Sequence, residues 1–273
     1  MSISDGALDR LGGILEQRYE IEDEIGRGGM GIVYRAYDTV LQRHVALKTH
    51  DGRWQQEARV LAELEHPGIV PVHDAGTLAD GRPFYAMKLV HGRPLDANRL
   101  SVAEALRLFL RICEPVIFAH ARGIVHGDLK PANVMIGAFG EVLVLDWGLA
   151  CRLGEETAAA GTPAFMAPEP VRTERSDIYS LGKILTVLTP AQRPPPVQAI
   201  VDHATETDPA GRFACVKDLA GEVARYVDGE RVLCHGESLA QTAWRIAKRY
   251  QTVVALICAY LLMRVLLYFW LRR

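Results

Sequence analysis

The stretch His126-Gly-Asp128-Leu-Lys130-Pro-Ala-Asn133, with Asp146-Trp-Gly148 following the strand-like Val142-Leu-Val-Leu145, constrains this chain more than any other feature. A carboxylate, a lysine two residues on and an asparagine five residues on are set near a second carboxylate delivered by a strand. By itself this could be a polar loop of turn-forming residues. Upstream, Gly26-Arg-Gly28-Gly-Met-Gly31-Ile-Val33 lies between two strand-like segments, and Val45-Ala-Leu-Lys48 puts one ammonium in otherwise apolar company. Glycines let the backbone turn tightly and approach phosphate oxygens. A glycine hairpin alone is ordinary, and a strand lysine is usually a solvated edge residue. On successive strands they would face one cleft, where the ammonium meets phosphates. With all four features in this order, Asp128 can orient an acceptor hydroxyl and Lys130 can neutralise transferred charge. Asn133 and Asp146 can hold magnesium, which completes what phosphoryl transfer needs. The glycine run joins strand to strand, which argues against a dinucleotide fold, and no GxxxxGK[ST] run is present to make a P-loop.

At 273 residues the chain fits one large or two small domains, and 49% apolar with 23% charged residues is an ordinary globular composition. A formal charge of −2 gives no general attraction to nucleic acid, so no nucleic-acid partner is expected. Five widely spaced cysteines without a CxxC pair argue against a disulfide framework or zinc knuckle. Asp5, Asp9 and Arg10 interrupt what a signal peptide would require, which predicts a cytosolic N-terminus. Residues 19–50 and 68–90 read as β-rich, the latter turning at Asp80-Gly81. Between them Glu57, Ala58, Val60, Leu61 and Leu64 fall at helical spacing and stop at Pro67-Gly68. From Ser101, which forms a capping box with Glu104, the pattern is mainly helical. Pro115 predicts a kink or break in that helix, and Pro194-Pro195-Pro196 a loop.

On these motifs the sequence resembles the eukaryotic-like (Hanks-type) Ser/Thr protein kinases of bacteria, over about residues 19 to 227. Further marks are Gly161-Thr162-Pro-Ala-Phe-Met-Ala167-Pro168-Glu169, Ser176-Asp177-Ile-Tyr-Ser-Leu-Gly182 and Asp208-Pro-Ala-Gly-Arg212-Phe213. The resemblance implies an α+β, two-lobed kinase-like fold: an N-lobe over about 19–87, β-rich with one helix, and a mainly helical C-lobe over about 91–227. Residues 1–18 would be an N-terminal extension. It implies ATP with Mg2+ or Mn2+ as cofactors and protein substrates with Ser or Thr acceptors, a preference that Lys130 and Thr162 favour. Carried over residue by residue, Lys48 holds the α- and β-phosphates with Glu57 as its helix partner, Asp128 is the catalytic base, and Lys130 assists it. Asn133 and Asp146 are the metal ligands. Gly26, Arg27, Gly28, Gly29, Met30 and Gly31 form the phosphate loop, and Val33 and Ala46 pack on the adenine. Met87 takes the gatekeeper place, with Lys88 and Leu89 in the hinge, and Arg212 pairs with Glu169.

The chain also departs from the family. Lys48 and Glu57 are only nine positions apart, so an outward Glu57 would leave the nucleotide loosely held. That spacing supports an alternative, a pseudokinase scaffold that binds nucleotide or a partner with little transfer. The arginine usually found before the catalytic Asp is Gly127, which predicts that activation-loop phosphorylation is not required. Trp147 replaces the usual Phe. The short, proline-rich stretch from Gly182 to Ala199 leaves little room for the family's helices there.

A linker, 228–250, precedes an apolar helix at 251–271. Thr252 to Leu271 is long enough to span about 30 Å, with Arg264 its one charge. Its eleven Leu, Ile, Val and Phe residues contribute about −3 to −7 kcal/mol against about +2.5 to +3.5 for the arginine. Insertion is favoured narrowly, with a helix packed on the surface or lying in the bilayer interface as the other reading. Arg245, Lys248 and Arg249 would keep the preceding side cytoplasmic, giving a single-pass inner-membrane protein with a cytoplasmic kinase domain. Arg264 could pair with an acidic partner inside the membrane, and the partners expected are a homodimer mate or another membrane protein. With Arg272 and Arg273 alone beyond the span, no external sensor domain is expected in this chain.

Overall fold

The computed structural model describes residues 18–28, 31–49, 54–77, 82–96, 100–155, 161–237, 242 and 250–271. Gly29 and Met30, the Asp80-Gly81 turn, residues 1–17 and most of 238–249 lie outside the described residues.

Strands β1 (Tyr19–Gly28), β2 (Gly31–Asp38), β3 (Arg43–Thr49), β4 (Val72–Thr77) and β5 (Pro83–Lys88) form one antiparallel sheet in the order β1-β2-β3-β5-β4. Every residue from Val45 to Thr49 is buried, as a central strand covered on both faces must be. Alternation along β3 sends Val45 and Leu47 into a small cluster with Tyr19, Tyr34, Ala36, Phe84 and Ala86. Ala46 and Lys48 therefore point to the opposite face. Helix α1 (Trp54–Glu63) connects β3 to β4 and buries Ala58, Val60 and Leu61 in the larger core.

That core is built on α2 (Val102–His120), opened by the Ser101–Glu104 capping box. Strand β6 (Gly92–Pro94) pairs with β8 (Val134–Gly137), and β8 pairs with β9 (Val142–Val144); β7 (Ile124–Val125) pairs with β10 (Cys151–Arg152). Helices α3 (Glu174–Leu188), α4 (Pro195–Ala204) and α5 (Val216–Val227) complete this half. A β-sheet lobe with one helix and a helical lobe are thus both present.

Two proline expectations are corrected. Helix α2 runs unbroken through Pro115, which is buried. A Cβ at Gly68 would lie 3.1–3.2 Å from the Pro115 ring, so the proline fills a packed contact that offsets its missing N–H. The proline triplet is not a loop but the beginning of α4, with Pro194 as N-cap and proline in the first turn, where no N–H is needed. Only Thr189–Pro194 separate α3 from α4.

Helix α6 (Gln251–Leu271) has 21 residues, and its described apolar side chains are exposed, Leu256 by 67% and Leu271 by 69%. Among the described residues no helix is long and apolar enough to cross a membrane; the side chains at 251, 253, 254, 265, 266 and 269 are not among them.

Candidate active site

Three strands bring the first half of the site together. Lys48 is the register partner of Val33 on β2 and of Tyr85 on β5, and Ala46 is the partner of Met87, so these side chains share one face. The first turn of α1 brings Glu57 onto that face. Lys48 Nζ donates to Glu57 Oε1 at 2.8 Å and to Asp146 Oδ1 at 3.0 Å, and Tyr85 Oη donates to the same Glu57 oxygen at 2.8 Å. Glu57 is therefore turned inward, and it is 2% exposed. At the start of β2, two residues before Val33, Gly28 pairs with Gly31, whose φ of +127° suits glycine, and a Cβ on Gly28 would meet nothing within 4 Å. Arg27 turns back to Glu24 at 2.9 Å and 2.6 Å, so its charge is engaged at the surface. Met87 and Leu89 are half-buried and Lys88 is exposed where β5 leaves the sheet.

The second half is a hydrogen-bonded knot around Asp128. Its Oδ1 accepts from the Thr162 amide at 2.9 Å and the Thr162 hydroxyl at 3.1 Å, while Oδ2 accepts from Lys130 Nζ at 2.6 Å. Lys130 also donates to the Thr162 hydroxyl at 2.8 Å. Asn133 Nδ2 donates to the Asp128 carbonyl at 2.8 Å, which commits the nitrogen and leaves the side-chain oxygen for another partner. The backbone before Asp128 is pinned by buried Asp177, which accepts the amides of His126 and Gly127 at 2.8 Å and 2.9 Å and faces His120 Nε2 at 2.8 Å. Asp146 reaches Lys48 from a backbone with φ +60°, a left-handed conformation that costs a non-glycine residue energy and marks a constrained position. The Leu145 amide donates to the Asn133 carbonyl at 2.8 Å, and Trp147 is buried with its indole N–H on the Val144 carbonyl at 3.3 Å. These bonds hold Asp146 beside the Asp128 loop.

The charges are mutually supporting. Burial works against the Lys48 ammonium, but Glu57 and Asp146 outweigh it and raise its pKa above the ordinary lysine value. Burial likewise works against the Asp146 and Asp177 carboxylates, yet Lys48 lowers the first and His120 the second. The depressed carboxylates add stability that is present above about pH 4 and lost as pH falls through their folded values. Lys48 adds stability that is present below about pH 10.5 and lost above it. The thermal unfolding midpoint is accordingly expected to fall steeply below pH 4; a midpoint unchanged from pH 7 to pH 3 would contradict this pairing.

Among the described residues no group of three or more His, Cys, Asp or Glu side chains is placed to hold a metal. Asn133 and Asp146 supply a smaller, all-oxygen set, which suits a magnesium ion that takes its other ligands from water and phosphates.

Residues 19–218 match the family described as "Protein kinase domain". The chain belongs to the protein kinase family. It is similar to the serine/threonine-protein kinase PknD of Chlamydia felis (strain Fe/C-56) and of Chlamydia caviae, each 33% identical over 294 aligned positions covering 78% of this chain and 31% of the relative. PknD of Chlamydia trachomatis serovar D is 31% identical over 300 positions, covering 78% of this chain and 32% of the relative. The chain thus spans about a third of the length of the curated relatives it matches.

Within this kinase domain the late arginine motif closes as expected. Arg212 Nη1 and Nη2 reach the two Glu169 carboxylate oxygens, both at 2.8 Å. Sequence reasoning missed Tyr85, which fixes the inward Glu57. Its signal was the β3–β5 register, since the strand directly beside Lys48 must present some side chain to the same face. It also missed the support that Asp177 and His120 give the Asp128 loop, although Asp177 lies within the Ser176-to-Gly182 motif.

Proposed function

We propose that this chain is a membrane-anchored serine/threonine protein kinase, transferring the γ-phosphoryl group of Mg-ATP to Ser or Thr hydroxyls of proteins. The observation that carries the reading is the junction of Lys48–Glu57 with Asp146, next to the Asp128–Lys130–Asn133–Thr162 knot. The glycine hairpin covers the phosphate tail, Lys48 meets the α- and β-phosphates, and Val33, Ala46 and Met87 form the apolar wall for the adenine, with Lys88 and Leu89 at its edge. Asp128 receives the proton of the attacking hydroxyl as the new P–O bond forms and the bond to the β-phosphate oxygen breaks. Lys130 neutralises charge on the moving phosphoryl group. Asn133 and Asp146 would hold magnesium, which when bound screens the phosphate charge. The serine/threonine class is supported by the name of the PknD relatives and by Lys130 and Thr162 at Asp128. Incubation of the full chain with γ-labelled ATP, magnesium and a mixed protein acceptor is expected to yield phosphoserine and phosphothreonine after acid hydrolysis. Phosphotyrosine alone, or no label, would contradict the assignment.

The pseudokinase alternative drew its support from the short Lys48-to-Glu57 spacing, and an ion pair at 2.8 Å removes that ground.

Membrane anchoring rests on α6. Its sequence carries one charge, and its described Leu, Ile and Met side chains stand exposed, including Leu262 at 63% and Met263 at 59%. An apolar surface of this kind is unstable in water. Arg245, Lys248 and Arg249 favour a cytoplasmic kinase domain at the inner membrane. The full chain is expected to float with liposomes in a density gradient, whereas a chain ending before residue 250 stays at the bottom. Full-length protein left at the bottom without detergent would contradict the anchor.

A further inference from the structure

Gly127 stands where the kinase resemblance leads one to expect an arginine, and a different arginine occupies the adjoining space. A Cβ on Gly127 would lie 2.9 Å from Arg172 Cδ, 3.0 Å from the Leu149 carbonyl oxygen and 3.3 Å from Arg172 Nη1. The backbone at Gly127 has φ +78°, so a side chain there would be strained as well as crowded. Arg172, which follows Glu169 and precedes α3, lies against Gly127 and donates Nη1 to the Leu149 carbonyl. Leu149 begins the run just past Asp146-Trp-Gly148. The Ala150 amide returns to the Trp147 carbonyl at 2.9 Å, Cys151 pairs with Val125, and the Leu153 amide reaches the Gly123 carbonyl at 2.8 Å. Val125 leads directly into His126–Asp128. One guanidinium therefore grips the stretch just past Asp146, next to residues paired with the strand that leads into the Asp128 loop.

We propose that Arg172 is a positioning residue: it holds the segment after Asp146 in its transfer-competent place through the Leu149 carbonyl, so no phosphoryl group on the activation segment is needed to do so. A charge-assisted hydrogen bond to a fixed carbonyl supplies from within the chain the restraint that a phosphate–arginine pair would otherwise give. The inference rests on the kinase reading above.

The test compares the full-length chain with Arg172→Met, which keeps the apolar stem and removes every donor, and Arg172→Gln, which keeps a neutral donor. Two quantities are read: transfer kinetics before and after phosphatase treatment, and amide hydrogen exchange over residues Leu149–Leu153. Wild type is expected to keep its rate after phosphatase. The Met variant is expected to lose about tenfold or more in kcat with KM for ATP changed by less than about twofold, and to exchange faster at Cys151 and Leu153. The Gln variant should fall between, and it serves alone if the Met variant does not fold. Wild-type kcat and exchange in the substituted protein, or a tenfold loss from wild type on phosphatase treatment, would overturn the proposal. If wild type transfers nothing, the kinase reading fails, and exchange alone then judges the tether: faster exchange in the variants upholds it and unchanged exchange overturns it.

Discussion

Replacing Asp128 by Asn is expected to cut phosphoryl transfer by about 10²- to 10⁴-fold, the range for loss of a positioned general base. Asn is nearly isosteric, and its side-chain oxygen can still accept from the Thr162 amide, while its NH2 group replaces the oxygen that accepted from Lys130 Nζ and Asn133 Nδ2. What it lacks is the carboxylate that we propose receives the hydroxyl proton, and that pairs with Lys130 at 2.6 Å. Lys48, Glu57 and Asp146 are untouched, so nucleotide affinity measured by a fluorescent ATP analogue should stay within about threefold, leaving the deficit in kcat. A variant that transfers at nearly the wild-type rate would show that Asp128 serves the fold and not the chemistry.

The second large effect concerns stability. The Arg212 side chain is 0% exposed and paired on both nitrogens with Glu169, whose side chain is 14% exposed. Glu169→Ala leaves that guanidinium buried with the backbone carbonyls of Glu206, Arg175 and Thr207 and the face of the Tyr179 ring as partners, and no counter-charge among them. Breaking a buried pair from one side costs about 3–5 kcal/mol, against a total stability for an ordinary domain of about 5–15 kcal/mol. Denaturant unfolding should show a correspondingly lower midpoint. Removing both charges together, as Glu169→Leu with Arg212→Met, is expected to cost less than the single change, because no stranded charge remains. A loss below about 1 kcal/mol for Glu169→Ala would place the pair with surface ion pairs.

The chemistry was most legible where it is local in sequence. Asp128, Lys130 and Asn133 fall within one short loop, and the structure joins them to Thr162 without any appeal to distant strands. The glycine hairpin and Lys48 were legible for a similar reason, since β1, β2 and β3 are consecutive neighbours. The Lys48–Asp146 contact, 98 positions apart, carried no signal in spacing or periodicity and was not among the pairings expected from the sequence. Tyr85 and Arg172 were invisible because each looks ordinary locally, an aromatic in an apolar strand and a basic residue in a loop; their roles arise from register and from a space left by a glycine. The proline expectations went wrong for a matching reason. Local backbone preference disfavours Pro115 inside a helix, but packing against Gly68 outweighs it, and the first turn of α4 needs no N–H from its prolines.

The most direct measurement on the central claim is γ-phosphoryl transfer by the full-length chain with labelled ATP, magnesium and a protein acceptor, beside the Asp146→Ala variant verified as folded by circular dichroism. The geometry that joins Lys48, Asp146 and Asp128 in one cleft predicts strong labelling by wild type and labelling near background by the variant. Equal labelling by the two proteins would contradict it.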